Sequence, residues 1–76
     1  MPAKKSPAAR ALAEAIRSAR RVREYGQERF AAHVGLDRSY YGAVERGEFN
    51  ITIDTLLKIT AGLGVRASTL LRRAQL

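Results

Sequence analysis

The sequence predicts an all-α protein, a compact five-helix bundle, and three observations lead to this fold class. Apolar residues recur at three- and four-residue intervals in five separate stretches, which is the spacing of one helix face. Glycines or helix-capping residues separate these stretches, and none alternates as a half-buried strand does. The 76 residues are enough for one domain, and 46% of them are hydrophobic. We expect residues 1–6 to be a flexible basic arm and residues 7–76 to form the domain.

Helix 1 is predicted from Pro7 to about Val22. The hydroxyl of Ser6 can cap it, and proline is favourable at the first helical position. Its inward-facing residues recur at helical spacing, whereas its opposite face is basic. The inward residues are Leu12, Ala15, Ile16 and Ala19, and the basic residues are Arg10, Arg17 and Arg21.

Helices 2 and 3 are predicted on either side of a tight corner in the stretch HVGLDRSYYGAVERG, residues 33–47. Helix 2 runs from Gln27 to Val34 and ends at Gly35, because glycine readily takes the left-handed conformation that closes a helix. Asp37 is the natural N-cap of helix 3, since its carboxylate can accept from free backbone N–H groups, and Gly47 ends that helix. The inward residues are Phe30, Ala31 and Val34 in helix 2, and Tyr41 and Val44 in helix 3.

Helices 4 and 5 complete the predicted bundle. Thr52 can cap helix 4, and Gly62 and Gly64 weaken its end. Helix 5 is short and covers residues 67–74, with Ser68 as its candidate cap. The apolar residues are Ile53, Leu56, Leu57, Ile59 and Leu63 in helix 4, and Leu70 and Leu71 in helix 5.

The charge of the chain is strongly basic and unevenly placed. The net charge is +7. Residues 1–23 carry seven lysines and arginines against one glutamate, whereas residues 24–76 carry seven against six acidic groups. Such a field favours a polyanion such as nucleic acid, although a solvated face explains the stretch from Arg17 to Arg23 equally well. An anionic membrane is disfavoured, because the stretch lacks the large apolar face that would insert.

The composition argues against several other classes of function. The chain has no cysteine, so it has no disulfide framework and no thiolate metal site. No apolar run reaches the roughly 20 residues of a membrane span, and the N-terminus lacks the apolar core of a secretory signal, so we expect a cytoplasmic protein. The single histidine, His33, has no second histidine or carboxylate cluster to work with. We therefore expect no catalytic residue, metal, cofactor or small-molecule ligand.

The tight corner itself indicates a function. Two short helices joined by a short glycine-containing turn form a helix-turn-helix, here made by helices 2 and 3. The steep angle lets the N-terminal end of helix 3 project from the body. A helix about 10–12 Å across fits the major groove of B-DNA. Arg38 and Ser39 on its first turn would then meet base edges, and arginine can donate two hydrogen bonds to guanine.

Several motifs occur in the order and spacing of a known family. They are the helical spacing Leu12/Ile16/Ala19, Gln27, Phe30-Ala31, Gly35-Leu36, Tyr41, Val44-Glu45-Arg46-Gly47, and the stretches TLLKI and LGV. With them, residues 12–71 resemble the Cro- and phage-repressor-like helix-turn-helix family, often called XRE. The stretches LDRSY, VERGEFNITI and ASTLLRR look like the controller proteins of restriction–modification systems. Such controllers are small dimeric regulators that act on their own promoter and on the endonuclease gene.

The resemblance implies roles for individual positions. The implied DNA base contacts are Arg38, Ser39 and Tyr40, and the implied DNA backbone contacts are Gln27, Arg46 and Asn50. The chain departs from the family at Gly26, where a capping residue is usual, and at Phe49, where controllers tend to place arginine. Gly42 and Ala43 also depart, and they are expected to leave the exposed middle of helix 3 nearly bare.

Two further expectations concern side chains of helix 3. Tyr40 and Tyr41 are consecutive on a helix and point about 100° apart, so we assign Tyr41 to the core and Tyr40 to the DNA side. Glu45 is expected to form at most a surface salt bridge, which contributes little stability.

The leading functional hypothesis is a sequence-specific transcriptional regulator that binds double-stranded DNA at a pseudo-palindromic operator as a homodimer. The alternative is a protein-interaction module, such as the antitoxin of a toxin–antitoxin pair, that regulates its own gene through DNA binding. A non-specific DNA-coating protein is disfavoured by the capped, side-chain-bearing third helix. The predicted dimer interface is formed by Leu63, Val65, Leu70 and Leu71.

Overall fold

The structure, a computed structural model, describes residues 6–76 as five helices joined by short turns. The helices are α1 (Pro7–Val22), α2 (Gln27–Val34), α3 (Arg38–Glu45), α4 (Ile53–Leu63) and α5 (Ala67–Arg73). Residues 6–76 contain no strand. The predicted all-α fold and the order of its helices are confirmed. The predicted basic arm lies outside the described residues except for Ser6, which is the N-cap of α1.

Side-chain caps set the starts of three helices. The Ser6 hydroxyl accepts from the backbone N–H of Ala9 at 3.1 Å, and the Thr52 hydroxyl accepts from that of Thr55 at 3.1 Å. The Asp37 carboxylate accepts from the backbone N–H of residue 40 at 3.0 Å. Each bond satisfies one of the donors that a helix leaves unpaired at its first turn. Helix α5 differs from the prediction, since it begins after Arg66 without a side-chain cap and Ser68 lies inside it.

The core lies where α1, α4 and α5 meet the pair α2–α3. Its largest fully buried apolar side chains are Ile16, Phe30, Tyr41, Ile59, Leu63 and Leu70. The apolar surface predicted for α4 is only partly correct, because Ile53 is 69% exposed and Leu57 is 50% exposed. These two side chains therefore contribute little to the core of the single chain.

The placement of the predicted interface residues corrects two of them. Leu63 and Leu70 are fully buried in the core of a single chain, so they present no side-chain surface to a second copy. Val65 and Leu71 are half-buried and pack against the edge of the same core. All four residues thus pack within one chain, and only the half-buried Val65 and Leu71 keep side-chain surface that a second copy could contact.

A glycine in α4 allows that helix to lie close to α2. A Cβ added at Gly62 would lie 2.3 Å from Cγ1 of Val34, and it would also contact His33 and Phe30. Real Cβ atoms do not approach another atom so closely, so a side chain at residue 62 would force the side chain of Val34, or α2 with it, to shift. The missing side chain at residue 62 therefore allows the close packing of α2 against α4.

Candidate nucleic-acid interface

The corner between α2 and α3 has the geometry that the sequence predicted. Gly35 ends α2 in the left-handed conformation, with φ of +73°. Its neighbour Leu36 donates its backbone N–H to the carbonyl of Ala31 at 2.9 Å, which closes the last turn of α2. Asp37 then caps α3, so only three residues separate the two helices.

The first turn of α3 presents polar side chains to solvent. Arg38 and Ser39 are exposed, and both follow the exposed cap residue Asp37. Tyr40 is half-buried, and its ring packs against that of Phe49, with centroids 5.5 Å apart. Tyr41 is fully buried, as predicted from the angle between the two tyrosines. The residues predicted to contact bases therefore lie together at the N-terminal end of α3, where Arg38 and Ser39 are exposed.

The other end of α3 carries a buried carboxylate. Glu45 is only 1% exposed, and Arg20 of α1 is 8% exposed. The Arg20 guanidinium donates from Nε to Glu45 Oε2 at 2.6 Å and from Nη2 to Oε1 at 2.9 Å. The Tyr41 hydroxyl also donates to Oε2. The expectation that Glu45 forms a surface salt bridge is thus wrong, since the pair is bidentate and buried.

Further hydrogen bonds tie this buried pair to α2 and to the end of α3. Gln27, the first residue of α2, donates from Nε2 to Glu45 Oε1 at 3.0 Å. Arg17 donates from Nη1 to the Glu45 backbone carbonyl at 2.7 Å, and Arg20 donates from Nη1 to the Tyr25 carbonyl at 2.8 Å. The resulting set, which we call the Glu45 cluster, consists of Arg17, Arg20, Gln27, Tyr41 and Glu45. It joins α1, α2 and α3.

The electrostatics of the Glu45 cluster favour its ionised form. Burial alone would raise the pKa of Glu45, but hydrogen bonds from Arg20, Tyr41 and Gln27 outweigh it and lower the pKa below its ordinary value. Burial and the neighbouring carboxylate raise the pKa of Tyr41, so its hydroxyl stays a donor. The hydrogen bond to Glu45 raises the pKa of Arg20, so both partners carry full charge.

The arginines between Arg17 and Arg23 have different surroundings in the structure. Arg20 is buried in the ion pair, and Arg17 holds the last carbonyl of α3. The guanidinium of Arg23 lies over Gly64, because a Cβ there would be 2.7 Å from its Nη2. Within residues 6–76, the side chains of the exposed Arg21 and Arg23 form no hydrogen bond or ion pair. The stretch from Arg17 to Arg23 is therefore not one uniform basic face, and Arg21 and Arg23 are the two of its four arginines that remain exposed.

The residues predicted to hold the DNA backbone are all exposed. Gln27 begins α2, Arg46 follows α3, and Asn50 lies in the loop before α4. Arg46 forms an exposed ion pair with Glu48, with Nε 2.8 Å from Oε2. The middle of α3 between them differs from the prediction. Gly42 and Ala43 are buried rather than bare, and the side chains of Arg46 and Gln27 cover Gly42.

Sequence reasoning missed the structural role of Arg20. A signal was present, because Arg20 lies four residues after Ile16 and therefore on the inward face of α1. An arginine on an apolar face needs a buried partner, and Glu45 is placed to be that partner. No comparable signal in the sequence indicated that Gln27 bonds to the same carboxylate.

Residues 6–76 hold no group of three or more histidine, cysteine or acidic side chains arranged to bind a metal. Within the same residues, each helix is too short or too polar to cross a membrane.

A family model described as helix-turn-helix matches residues 16–70. The chain is similar to control protein C.MunI of Mycoplasma sp, with 47% identity over 47 residues, which are 62% of this chain and 64% of that protein. It is also similar to control protein C.SmaI of Serratia marcescens, with 42% identity over 62 residues, covering 82% of this chain and 74% of that protein. The alignments thus leave part of each relative unmatched.

Solved structures agree with these sequence matches. The restriction–modification controller protein C.AhdI from Aeromonas hydrophila superposes with a TM-score of 0.78 and 34% identity, covering 82% of this chain and 94% of that one. The controller protein C.Esp1396I, solved as a tetramer with its natural 35-base-pair operator, gives a TM-score of 0.81 and 28% identity. That match covers 95% of this chain and 100% of the other.

Proposed function

The chain belongs to the helix-turn-helix family of DNA-binding transcriptional regulators, and from this premise we propose that it is the controller of a restriction–modification system. In this proposal, residues 7–76 form the DNA-binding domain and residues 1–6 a basic arm. The protein binds a pseudo-palindromic operator as a homodimer. Several of the relatives that match it are controllers, which favours this function over the antitoxin alternative.

The observation that carries the proposal is the exposed first turn of α3. Arg38 and Ser39 are free of intrachain side-chain hydrogen bonds within residues 6–76, and they lie at the end of a helix capped by Asp37. A guanidinium there can donate two hydrogen bonds to guanine O6 and N7, and a serine hydroxyl can both donate and accept. Tyr40, held against Phe49, lies beside them. We assign direct base readout to these three residues of α3.

Backbone contacts are assigned to residues on either side of this turn. Gln27 is fixed by its bond to Glu45, and Arg46 is exposed at the opposite end of α3. Asn50 lies in the following loop and supplies an amide. Contacts to phosphates fix the register of a protein on the duplex but carry no sequence information. Gln27, Arg46 and Asn50 are therefore assigned to affinity and orientation.

Dimerisation is assigned to an apolar groove formed by the ends of α1 and α5 and the start of α4. The groove is lined by apolar side chains that include Leu12, Ile51, Ile53, Leu71 and Leu76. Ile53 and Leu76 are more than half exposed in a single chain, and burying them would stabilise a pair of chains. We propose a second copy of this chain as the occupant, and Leu71 keeps the interface role predicted from sequence.

One observation on a related protein and one geometric argument support that choice of occupant. C.Esp1396I is a tetramer on its operator, so a related controller binds DNA as an assembly. A dimer with two-fold symmetry would place two α3 helices one helical turn of DNA apart, about 34–36 Å.

The experiment distinguishes contacts to DNA bases from contacts to the DNA backbone. A duplex recovered by selection from a random-sequence library and a scrambled duplex are each titrated at several salt concentrations. Arg38→Ala should weaken binding to the selected duplex by about 1–3 kcal/mol and relax preference at one base pair per half-site. Arg46→Ala should weaken binding to both duplexes by the same factor. It should also reduce the slope of log affinity against log salt concentration by about one unit per subunit. Equal loss on both duplexes for Arg38→Ala would contradict the assignment of base readout.

A second experiment tests the interface. Ile53→Arg places a charge in the groove at an exposed position, so the fold should persist while the mass measured by light scattering falls to that of one chain. Val22→Arg is the matched control, because Val22 is 79% exposed and does not line the groove. A dimer mass for Ile53→Arg, or a monomer mass for the unaltered protein, would disprove the interface. An endonuclease–methyltransferase gene pair beside this gene would support the controller role.

A further inference from the structure

Gly42 lies in the interior of α3, a position at which glycine lowers the stability of a helix. Its backbone is helical, so it does not need the positive φ that glycine allows. Glycine in a helix interior lowers stability by comparison with alanine. The reason for a glycine at this position must therefore lie in what surrounds its missing side chain.

Two side-chain ends, and no other group of residues 6–76, lie close to that space. A Cβ added at Gly42 would be 3.3 Å from Nη1 of Arg46 and 3.7 Å from Oε1 of Gln27. Both neighbours are the far ends of flexible side chains rather than core atoms. An alanine at residue 42 would therefore leave the core undisturbed and would act on Arg46 and Gln27.

The two neighbours differ in how firmly they are held. Gln27 is anchored from beneath, because its Nε2 donates to the buried Glu45 carboxylate at 3.0 Å. Arg46 is exposed, and its side chain leans back along α3 toward the N-terminal end of the helix, as helical side chains do. Its Nη1 then lies above Gly42, while its Nε faces Glu48. A group added at residue 42 would thus displace Arg46 rather than Gln27.

We propose that Gly42 is a positioning residue whose missing side chain leaves room for the Arg46 guanidinium to lie over α3, where it holds one phosphate of the DNA backbone. The inference rests on the proposed function, because it deepens the backbone contacts assigned to Arg46 and Gln27. This phosphate seat lies over the middle of α3, with Gln27 of α2 at its edge. The exposed Arg46 side chain supplies the positive charge, and Oε1 of Gln27 lies beside the same space as an acceptor.

The test is Gly42→Ala, because two readouts should move in opposite directions. The melting temperature should rise by about 4 °C, since alanine favours the helix. Affinity for the selected and the scrambled duplex should fall about threefold to tenfold alike, a part of what losing a whole charge-assisted contact costs. Combining Gly42→Ala with Arg46→Ala should cause no further fall in affinity, since the displaced side chain is then absent.

Each contrary result overturns a distinct part of the argument. If Arg46→Ala weakens binding but Gly42→Ala does not, the seat is disproved while the proposed backbone contacts stand. The seat is also disproved if Gly42→Ala causes the same loss with and without Arg46. If Arg46→Ala and Gln27→Ala both leave affinity unchanged, the backbone contacts of the proposed function are wrong, and the seat is wrong with them.

Discussion

The two ends of α3 differ in burial and in side-chain hydrogen bonding. At the C-terminal end, the Glu45 carboxylate accepts hydrogen bonds from α1, from α2 and from its own helix, and it is almost fully buried. At the N-terminal end, Arg38 and Ser39 are exposed and contribute no side-chain bonds within residues 6–76. One eight-residue helix therefore has an end that holds the fold and an end that is available to a ligand.

This difference explains how such a short helix can hold its exposed side chains in fixed positions. An isolated helix of eight residues is unstable in water, so its conformation must come from packing and from fixed ends. The Glu45 cluster fixes the C-terminal end, and the Asp37 cap fixes the N-terminal end. Side chains at the exposed turn can then vary without loss of the fold, and the following predictions test that separation.

The largest effect is expected at the buried end. Glu45→Gln removes the charge that pairs with Arg20, which leaves a buried guanidinium without its counter-ion. We expect the free energy of unfolding to fall by about 3–5 kcal/mol, measured by urea denaturation. The control is Glu48→Gln, which removes a carboxylate from the exposed pair with Arg46 and should change stability by at most about 1 kcal/mol. If both variants lowered the free energy of unfolding equally, the buried end of α3 would not be the one that stabilises the fold.

Acid should remove the same contribution from the unaltered protein. The pKa of Glu45 is lowered in the folded state, so its contribution is fully present above the ordinary value of 4.5. It should be lost as the pH falls through the lower pKa of the folded protein. The difference in unfolding free energy between the unaltered protein and Glu45→Gln, followed from neutral pH into acid, should therefore shrink. A difference that stays constant across this range would contradict the ionised, hydrogen-bonded state of Glu45.

A smaller effect is expected from the cap at the exposed end. Asp37→Ala removes the acceptor for the first-turn N–H of residue 40 and should cost about 1 kcal/mol of stability. Asp37→Asn is the matched control, because asparagine caps helices about as well and should retain most of that stability. Thermal unfolding of the two variants distinguishes the lost cap from a general sensitivity of the residue.

The smallest effect on stability is expected at Arg38. Its side chain is exposed, so Arg38→Ala should change the free energy of unfolding by no more than about 0.5 kcal/mol while it weakens binding to the selected duplex. Urea denaturation and the DNA titration are performed on the same preparation. A loss of stability comparable to that of Asp37→Ala would show that the exposed end also contributes to the fold.

Local signals were sufficient to predict the helices. Ser6, Asp37 and Thr52 cap the helices that they were expected to cap, because a short polar side chain beside an apolar periodic run has one favourable use. The corner at Gly35 was equally readable, since glycine tolerates the left-handed conformation that closes α2.

The errors arose where a residue depends on contacts distant in sequence. A charged residue such as Glu45 is expected at the surface, and only the folded structure brings Arg20, 25 positions away, beside it. Leu63 and Leu70 are apolar in any case, and only packing decides whether they face their own core or a second copy. Gly42 was expected to be bare, but side chains from α2 and from the end of α3 cover it. Periodicity identifies a face, whereas tertiary structure decides what covers that face.

The close approach at Gly62 has a consequence for the operator. Helix α2 rests against α4 at this glycine, and α4 begins at the groove assigned to the second copy. A side chain at residue 62 would press on Val34, and a shift of α2 that relieved this contact would also move α3, which begins at Arg38. If the protein binds DNA as the dimer proposed above, a shift of α3 would change the distance between the two recognition helices and hence the half-site spacing that the dimer fits. A substitution at residue 62, which is assigned no contact with DNA, would then be detected as a change in the preferred spacing of the operator.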